Sequence, residues 1–107
     1  MKLLFTGASG FLGSNLYSLL KDKYQIRTVG LTPRDNYTIN LVSDVPKLNI
    51  KYDVVLHAAG KAHSTPKTEE EKQLFFDVNL QGTKNLCTAL ENSGIPNAFI
   101  FLRTVAV

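Results

Sequence analysis

Three glycines at intervals of three, Gly7, Gly10 and Gly13 in TGASGFLG, directly follow the apolar run KLLFT (2–6). The chemistry this spacing serves is anion recognition by backbone amides. Gly7 permits the positive φ of a tight turn. A missing side chain at Gly10 lets the first amides of a helix approach a pyrophosphate. Gly13 lets that helix pack closely on the strand. Phe11 and Leu12 then offer N–H groups rather than side chains. The order G-x-x-G-x-x-G departs from G-x-G-x-x-G, which changes the turn and not the principle. A bare glycine triplet is a weak signal; one that ends a strand and opens a helix carries weight.

The remaining chemically suggestive residues are weaker. His57 and His63 lack a third ligand at metal spacing, so no metal is expected. His57 closes an apolar run and reads as a packed, hydrogen-bonded histidine rather than a base. Ser9 lies in G-A-S-G, not in the G-x-S-x-G of a nucleophile elbow. Tyr17-Ser-Leu-Leu-Lys21 is literally Y-x-x-x-K. It lies about 10 Å of helical rise beyond Gly10, at about 1.5 Å per residue, on the end pointing away from the glycine turn. Both residues read as helix surface. The single cysteine, Cys87, excludes an internal disulfide and fits a reducing compartment. In its apolar helical stretch it reads as a small core residue.

These residues need elements to position them. KLLFT is a short apolar run stopped by glycine, a buried strand. Phe11, Leu12, Leu16, Leu19 and Leu20 form a helical stripe to about Lys21. QIRTVGL (25–31) is rich in β-branched residues and predicts a second strand. Residues 32–52 read as loop, with a short strand near Thr38–Leu41. DVVLHA (53–58) is another buried strand. Thr68-Glu-Glu-Glu71 is a capping box, and its acids suit the positive helix end. That helix runs through FFDVNLQGTKNLCTALEN and stops at Gly94, with Pro96 beyond. AFIFL (98–102) is the last strand. Strand–helix–strand alternation implies a parallel sheet with right-handed crossovers and helices on both faces. The expected fold is α/β, a doubly wound parallel sheet in three layers and incomplete. Ligands bind such sheets beyond the carboxyl ends of the strands.

Length and composition bound the rest. The 107 residues fit one domain with a modest core. Apolar residues make up 44% and charged residues 20%, ordinary for a globular protein. The net charge is +3. Its basic residues are scattered, which is a solvated surface rather than a nucleic-acid footprint. MKLLF imitates a signal peptide, but Thr6-Gly7 breaks the apolar run and no A-x-A site follows. Nothing approaches the roughly 18 apolar residues of a membrane span. The cytoplasm is the expected location.

TGASGFLG, HAAG (57–60), DVNLQGTKNL (77–86) and FIFLRTVAV (99–107) together resemble the extended short-chain dehydrogenase/reductases, specifically the NAD-dependent epimerase/dehydratase group acting on nucleotide sugars. The resemblance runs in order from Lys2 to Val107. It implies that residues 1–107 are the N-terminal part of an NAD(P)-binding Rossmann domain. Gly7, Gly10, Phe11, Leu12 and Gly13 would cradle the pyrophosphate. Asn40-Leu41 would contact adenine, with Asn replacing the family's Asp. Ala58, Ala59 and Gly60 would line the nicotinamide ribose side. Asn79 would brace the active-site strand, and Thr104 would be the catalytic hydroxyl that hydrogen-bonds the reacting sugar oxygen.

Three departures qualify the resemblance. The second strand of the family usually ends in Asp, which binds the adenosine ribose diol; here Gly30 stands in that place. NAD and NADP are then both open, since Arg34 could face a 2′-phosphate or stand in water. Arg103 replaces a small hydroxyl residue before Thr104. The family's catalytic Tyr-x-x-x-Lys would fall after Val107, so this chain is expected to be inactive alone, with nucleotide-sugar turnover belonging to a longer form. A non-catalytic NAD(P)-binding regulatory or structural module is the alternative. In the strand order 3-2-1-4-5, residues 98–102 form an exposed apolar edge, so self-association as a two-fold dimer is expected.

Overall fold

The architecture follows from how the apolar residues of the first strand divide between two faces. The structure, a computed structural model, describes residues 1–8, 10–58 and 68–102, and only the backbone of Phe11 and Phe75. Strand β1 (Lys2–Thr6) is buried from Leu3 onward. Successive strand side chains point to opposite faces. Leu4 therefore joins Val29, Tyr52, Val55, Leu86 and Leu90 in one core. Leu3 and Phe5 join Ile26 and Leu56 in another, against which Leu16, Tyr17 and Leu20 pack. The first core belongs to helix α2 (Glu69–Ser93) and the second to helix α1 (Phe11–Leu20). The helices thus cover opposite faces of one sheet, in three layers.

The sheet holds β2 (Gln25–Gly30), β3 (Tyr37–Thr38), β4 (Val54–Ala58) and β5 (Ala98–Leu102) beside β1. Its order is β3-β2-β1-β4-β5, and each neighbouring pair is parallel. Thr6 pairs with Val29 on one side and His57 on the other, so β1, β2 and β4 end together. The doubly wound order expected from the alternation of elements is the one observed.

Both helices have identifiable ends. Thr68 caps α2, its Oγ1 accepting from the Glu71 amide at 3.1 Å, with Glu69, Glu70 and Glu71 in the first turn. Gly94 closes it at φ 123°, a conformation that only glycine adopts readily. Helix α1 starts on Gly10, whose φ of −75° and ψ of 169° are extended, with no side-chain cap.

The structure corrects four details. β2 stops at Gly30, and β3 is Tyr37–Thr38 rather than a strand near Thr38–Leu41. Asn40 is the reason for the second: its Oδ1 accepts from the Val42 amide at 3.0 Å, and its carbonyl accepts from Ser43 and Asp44, so the chain turns where a strand would continue. Cys87 is exposed, not a core residue, because the inward positions of α2 are taken by Leu86, Ala89 and Leu90. Tyr17 is half-buried against the second core rather than surface.

Candidate functional site

The carboxyl ends of β1, β2 and β4 surround the glycine turn. Gly7 has φ 78°, in the left-handed region. Its carbonyl accepts from the Gly10 amide at 3.1 Å, which closes the turn. A Cβ on Gly7 would collide with the Ala58 carbonyl oxygen and stand 3.0 Å from the Ala58 Cβ. A Cβ on Gly13 would collide with the Gly7 carbonyl oxygen, 2.8 Å from its carbonyl carbon and 3.1 Å from the Ala8 Cα. Gly13 is thus pressed against the turn itself rather than against the strand. Gly10 differs from both. Among the described residues, a Cβ there would meet the Gly7 oxygen alone, at an ordinary 3.5 Å.

Two of the glycines therefore build the turn, and the third keeps its outer side bare. The amides of Phe11, Leu12 and Gly13 lie in the first helical turn, where no carbonyl lies four residues back inside the helix. No acidic side chain occupies that turn. Aligned peptide dipoles add positive potential at the same place. A pyrophosphate fits this cradle, and a carboxylate-bearing first turn would not have allowed it.

His57 ties the three elements together behind the turn. It is 3% exposed, and burial pushes its pKa down to about 4. The Thr83 hydroxyl donates to the Asn79 carbonyl at 2.9 Å. Its oxygen must therefore accept from His57 Nε2, 3.1 Å away. The proton is assigned to Nε2 on that ground, which leaves Nδ1 to accept from the Thr6 hydroxyl at 2.5 Å. The ring also meets Phe99 and Phe101 edge-on, with centroids 5.9 and 5.4 Å away. The histidine expected to be packed and hydrogen-bonded is so, neutral, and linked from β1 to α2.

The other expected site residues fall as follows. Ala58 ends β4 with its carbonyl against Gly7. Asn40 is exposed, while Leu41 packs on the first core and its carbonyl accepts from Asn85 Nδ2 at 2.6 Å. Asn79 is half-buried on α2. Ala59, Gly60, His63 and Thr104 lie outside the described residues. Among the described residues, no His, Cys, Asp and Glu side chains gather in threes as around a metal ion. Nor is any helix among them long and apolar enough to cross a membrane.

One residue escaped the sequence reading. A Cβ on Gly30 would stand 2.7 Å from Cγ and 2.9 Å from Oδ1 of Asp35. A carboxylate thus does reach the end of β2, from five positions further along. The available signal was Thr32-Pro33-Arg34-Asp35, a turn sequence directly after the strand.

The profile of the NAD dependent epimerase/dehydratase family matches residues 3–107. The chain belongs to that family. A UDP-glucose 4-epimerase of Vibrio cholerae is 32% identical over 98% of this chain and 35% of its own length. An NAD complex of a mutant uronate dehydrogenase from Agrobacterium tumefaciens superposes with a TM-score of 0.68 at 25% identity, covering 96% of this chain and 40% of that one. A human epimerase family protein solved with NADPH superposes with a TM-score of 0.73 at 22% identity, covering 94% and 36%; at that identity the likeness speaks for the fold. This family member spans about a third of the length of the curated relatives it matches.

Proposed function

We propose that this chain is the dinucleotide-binding portion of a nucleotide-sugar epimerase/dehydratase. The observation that carries the reading is the bare helix start: Gly7 and Gly13 build a turn no side chain could enter, and Gly10 leaves the amides behind it open. Phe11, Leu12 and Gly13 hold the pyrophosphate through N–H groups. Asn40 faces the adenine, with Leu41 anchoring it to the core. Ala58, Ala59 and Gly60 border the nicotinamide ribose. Asn79 braces the active-site strand, and the Thr104 hydroxyl hydrogen-bonds the reacting sugar oxygen. When bound, the nicotinamide supplies a sink for hydride from a sugar carbon, giving a 4-keto sugar. His57 is a neutral brace in this reading and exchanges no proton with substrate.

The sugar chemistry belongs to the whole protein. Relatives named for UDP-glucose 4-epimerization support a nucleotide-sugar substrate. A positioned base is worth about 10²–10⁴ in rate, and Tyr17 of the Y-x-x-x-K stretch is packed against the second core. These 107 residues are therefore read as cofactor-binding and not as catalytic alone. A non-catalytic NAD(P)-binding module is the second reading, favoured by the same cradle. A reducing, cytoplasmic setting agrees with the cofactor class. Self-association is read from β5, where Phe99, Ile100 and Phe101 are 38, 44 and 46% exposed on an edge strand.

Calorimetric titration with NAD⁺ and NADP⁺, beside a Gly10→Val variant, tests the dinucleotide reading. Saturable binding by the native chain and its loss in the variant are expected. Binding of neither nucleotide to the native chain would sink it.

A further inference from the structure

The end of β2 holds an arrangement that the glycine turn does not explain. Gly30 follows Val29, the partner of Thr6, so it stands beside Gly7 at the carboxyl edge of the sheet. Its φ is not positive; among the described glycines that property belongs to Gly7 and Gly94. Residue 30 is glycine for space, not for backbone freedom. The Asp35 carboxyl group fills that space, with Cγ 2.7 Å and Oδ1 2.9 Å from where a Cβ would be.

Asp35 is held there by a closed turn. Its amide donates to the Thr32 carbonyl at 3.1 Å, with Pro33 and Arg34 between. Pro33 takes the turn position that its fixed φ suits. Asp35 Oδ2 accepts from the Thr32 amide at 3.1 Å and from the Thr32 hydroxyl at 2.8 Å. The Thr38 hydroxyl donates to the Thr32 carbonyl at 2.9 Å, and the Ile39 amide to the Gly30 carbonyl at 2.8 Å, tying the turn to β3 and β2. Both Thr32 donors use Oδ2. Oδ1 has no hydrogen-bond donor among the described residues and is left to accept.

We propose that Asp35, reaching back over Gly30 from the loop, accepts hydrogen bonds from the adenosine ribose hydroxyls and makes the site select NAD over NADP. The inference rests on the dinucleotide reading above. In open α/β sheets an acid at the end of the second strand meets the ribose 2′-hydroxyl. Here the loop supplies that acid and the strand end gives way to it. A 2′-phosphate brings about −1.5 to −2 charges against a fixed carboxylate, and it has no hydroxyl to donate. Arg34, at the exposed tip of the same turn, is the group that would oppose this selection.

The test is the ratio of NADP⁺ to NAD⁺ dissociation constants, by calorimetry, for three forms of the chain. The native chain is expected to favour NAD⁺ by at least about tenfold. Asp35→Asn should weaken NAD⁺ by about tenfold and change NADP⁺ far less. The double variant Gly30→Asp/Asp35→Gly moves the carboxylate onto the strand and should restore the preference. Far-ultraviolet dichroism checks that each form is folded, and the rescue separates ligand contact from turn stability. Equal binding of the two nucleotides by the native chain, a preference for NADP⁺, or an Asp35→Asn variant that weakens both alike would overturn the proposal while leaving the dinucleotide reading intact. A native chain that binds neither nucleotide removes both.

Discussion

His57 on β4 donates from Nε2 to the Thr83 hydroxyl on α2, 3.1 Å away, and does so as a neutral ring. The pair joins β4, the neighbour of the central strand, to α2. Its other nitrogen engages Thr6, the residue before the glycine turn. The strand residue that leads into the glycine turn is therefore anchored by a neutral histidine.

Stability is expected to depend on that neutrality. The folded pKa of about 4 lies below the ordinary 6.5, so the unfolded chain binds the extra proton first. Stability contributed by neutral His57 is complete above pH 6.5 and is lost as pH falls toward 4. The full loss is about 3 kcal/mol. Urea denaturation at pH 7, 5.5 and 4 measures it, and His57→Asn should flatten this part of the profile. An unchanged midpoint between pH 7 and 4 in the native chain would remove His57 from this role.

The glycines of the turn should separate by their surroundings. Gly13→Ala drives a methyl group into the Gly7 carbonyl and is expected to cost about 3 kcal/mol or more. Gly10→Ala meets only an atom at 3.5 Å and should cost about 1 kcal/mol or less. Thermal and urea unfolding of the two variants side by side give the comparison; equal losses would mean that the turn is not packed as described.

Adjacent residues of α2 should respond in opposite ways. Leu86 is fully buried in the first core, so Leu86→Ala is expected to cost about 2–5 kcal/mol. Cys87 is exposed, and its thiol should react with Ellman's reagent in the folded chain as fast as in urea. A thiol protected until the chain unfolds would place it in a core or an interface.

Strand β5 pairs with β4 along one edge, and its apolar side chains are open to solvent. The chain should sediment as more than a monomer at micromolar concentration. Ile100→Lys places a charge on that strand and should shift the chain toward monomer. A native chain that is monomeric at that concentration would show that the edge is protected by other means.

Most of the fold was legible because local signals agreed with one another. KLLFT, QIRTVGL and DVVLHA are short apolar or β-branched runs between turn residues, and each holds a strand, the last two one residue shorter than read. Thr68 and Gly94 marked the ends of α2 through capping chemistry that needs no tertiary contact. The glycine spacing announced the turn, because positive φ at residue 7 is a backbone property. Harder to read were features whose cause lies far away in sequence or in competing local bonds. Asn40 turned the chain by bonding its own neighbours, and so shortened β3. Cys87 follows a buried leucine, and only the placement of α2 on the sheet shows which of the two faces inward.

The amino-acid sequence alone determined the alternating elements, the glycine turn and the family, because these rest on periodicity, backbone freedom and ordered motifs. The tertiary structure decided which atoms meet at the strand ends. It set the tautomer of His57 through Thr6 and Thr83, residues 51 positions before and 26 positions after it in the chain. It also filled the space above Gly30 with the Asp35 carboxylate. Residue type shows that position 30 lacks a side chain; only packing shows what stands there instead.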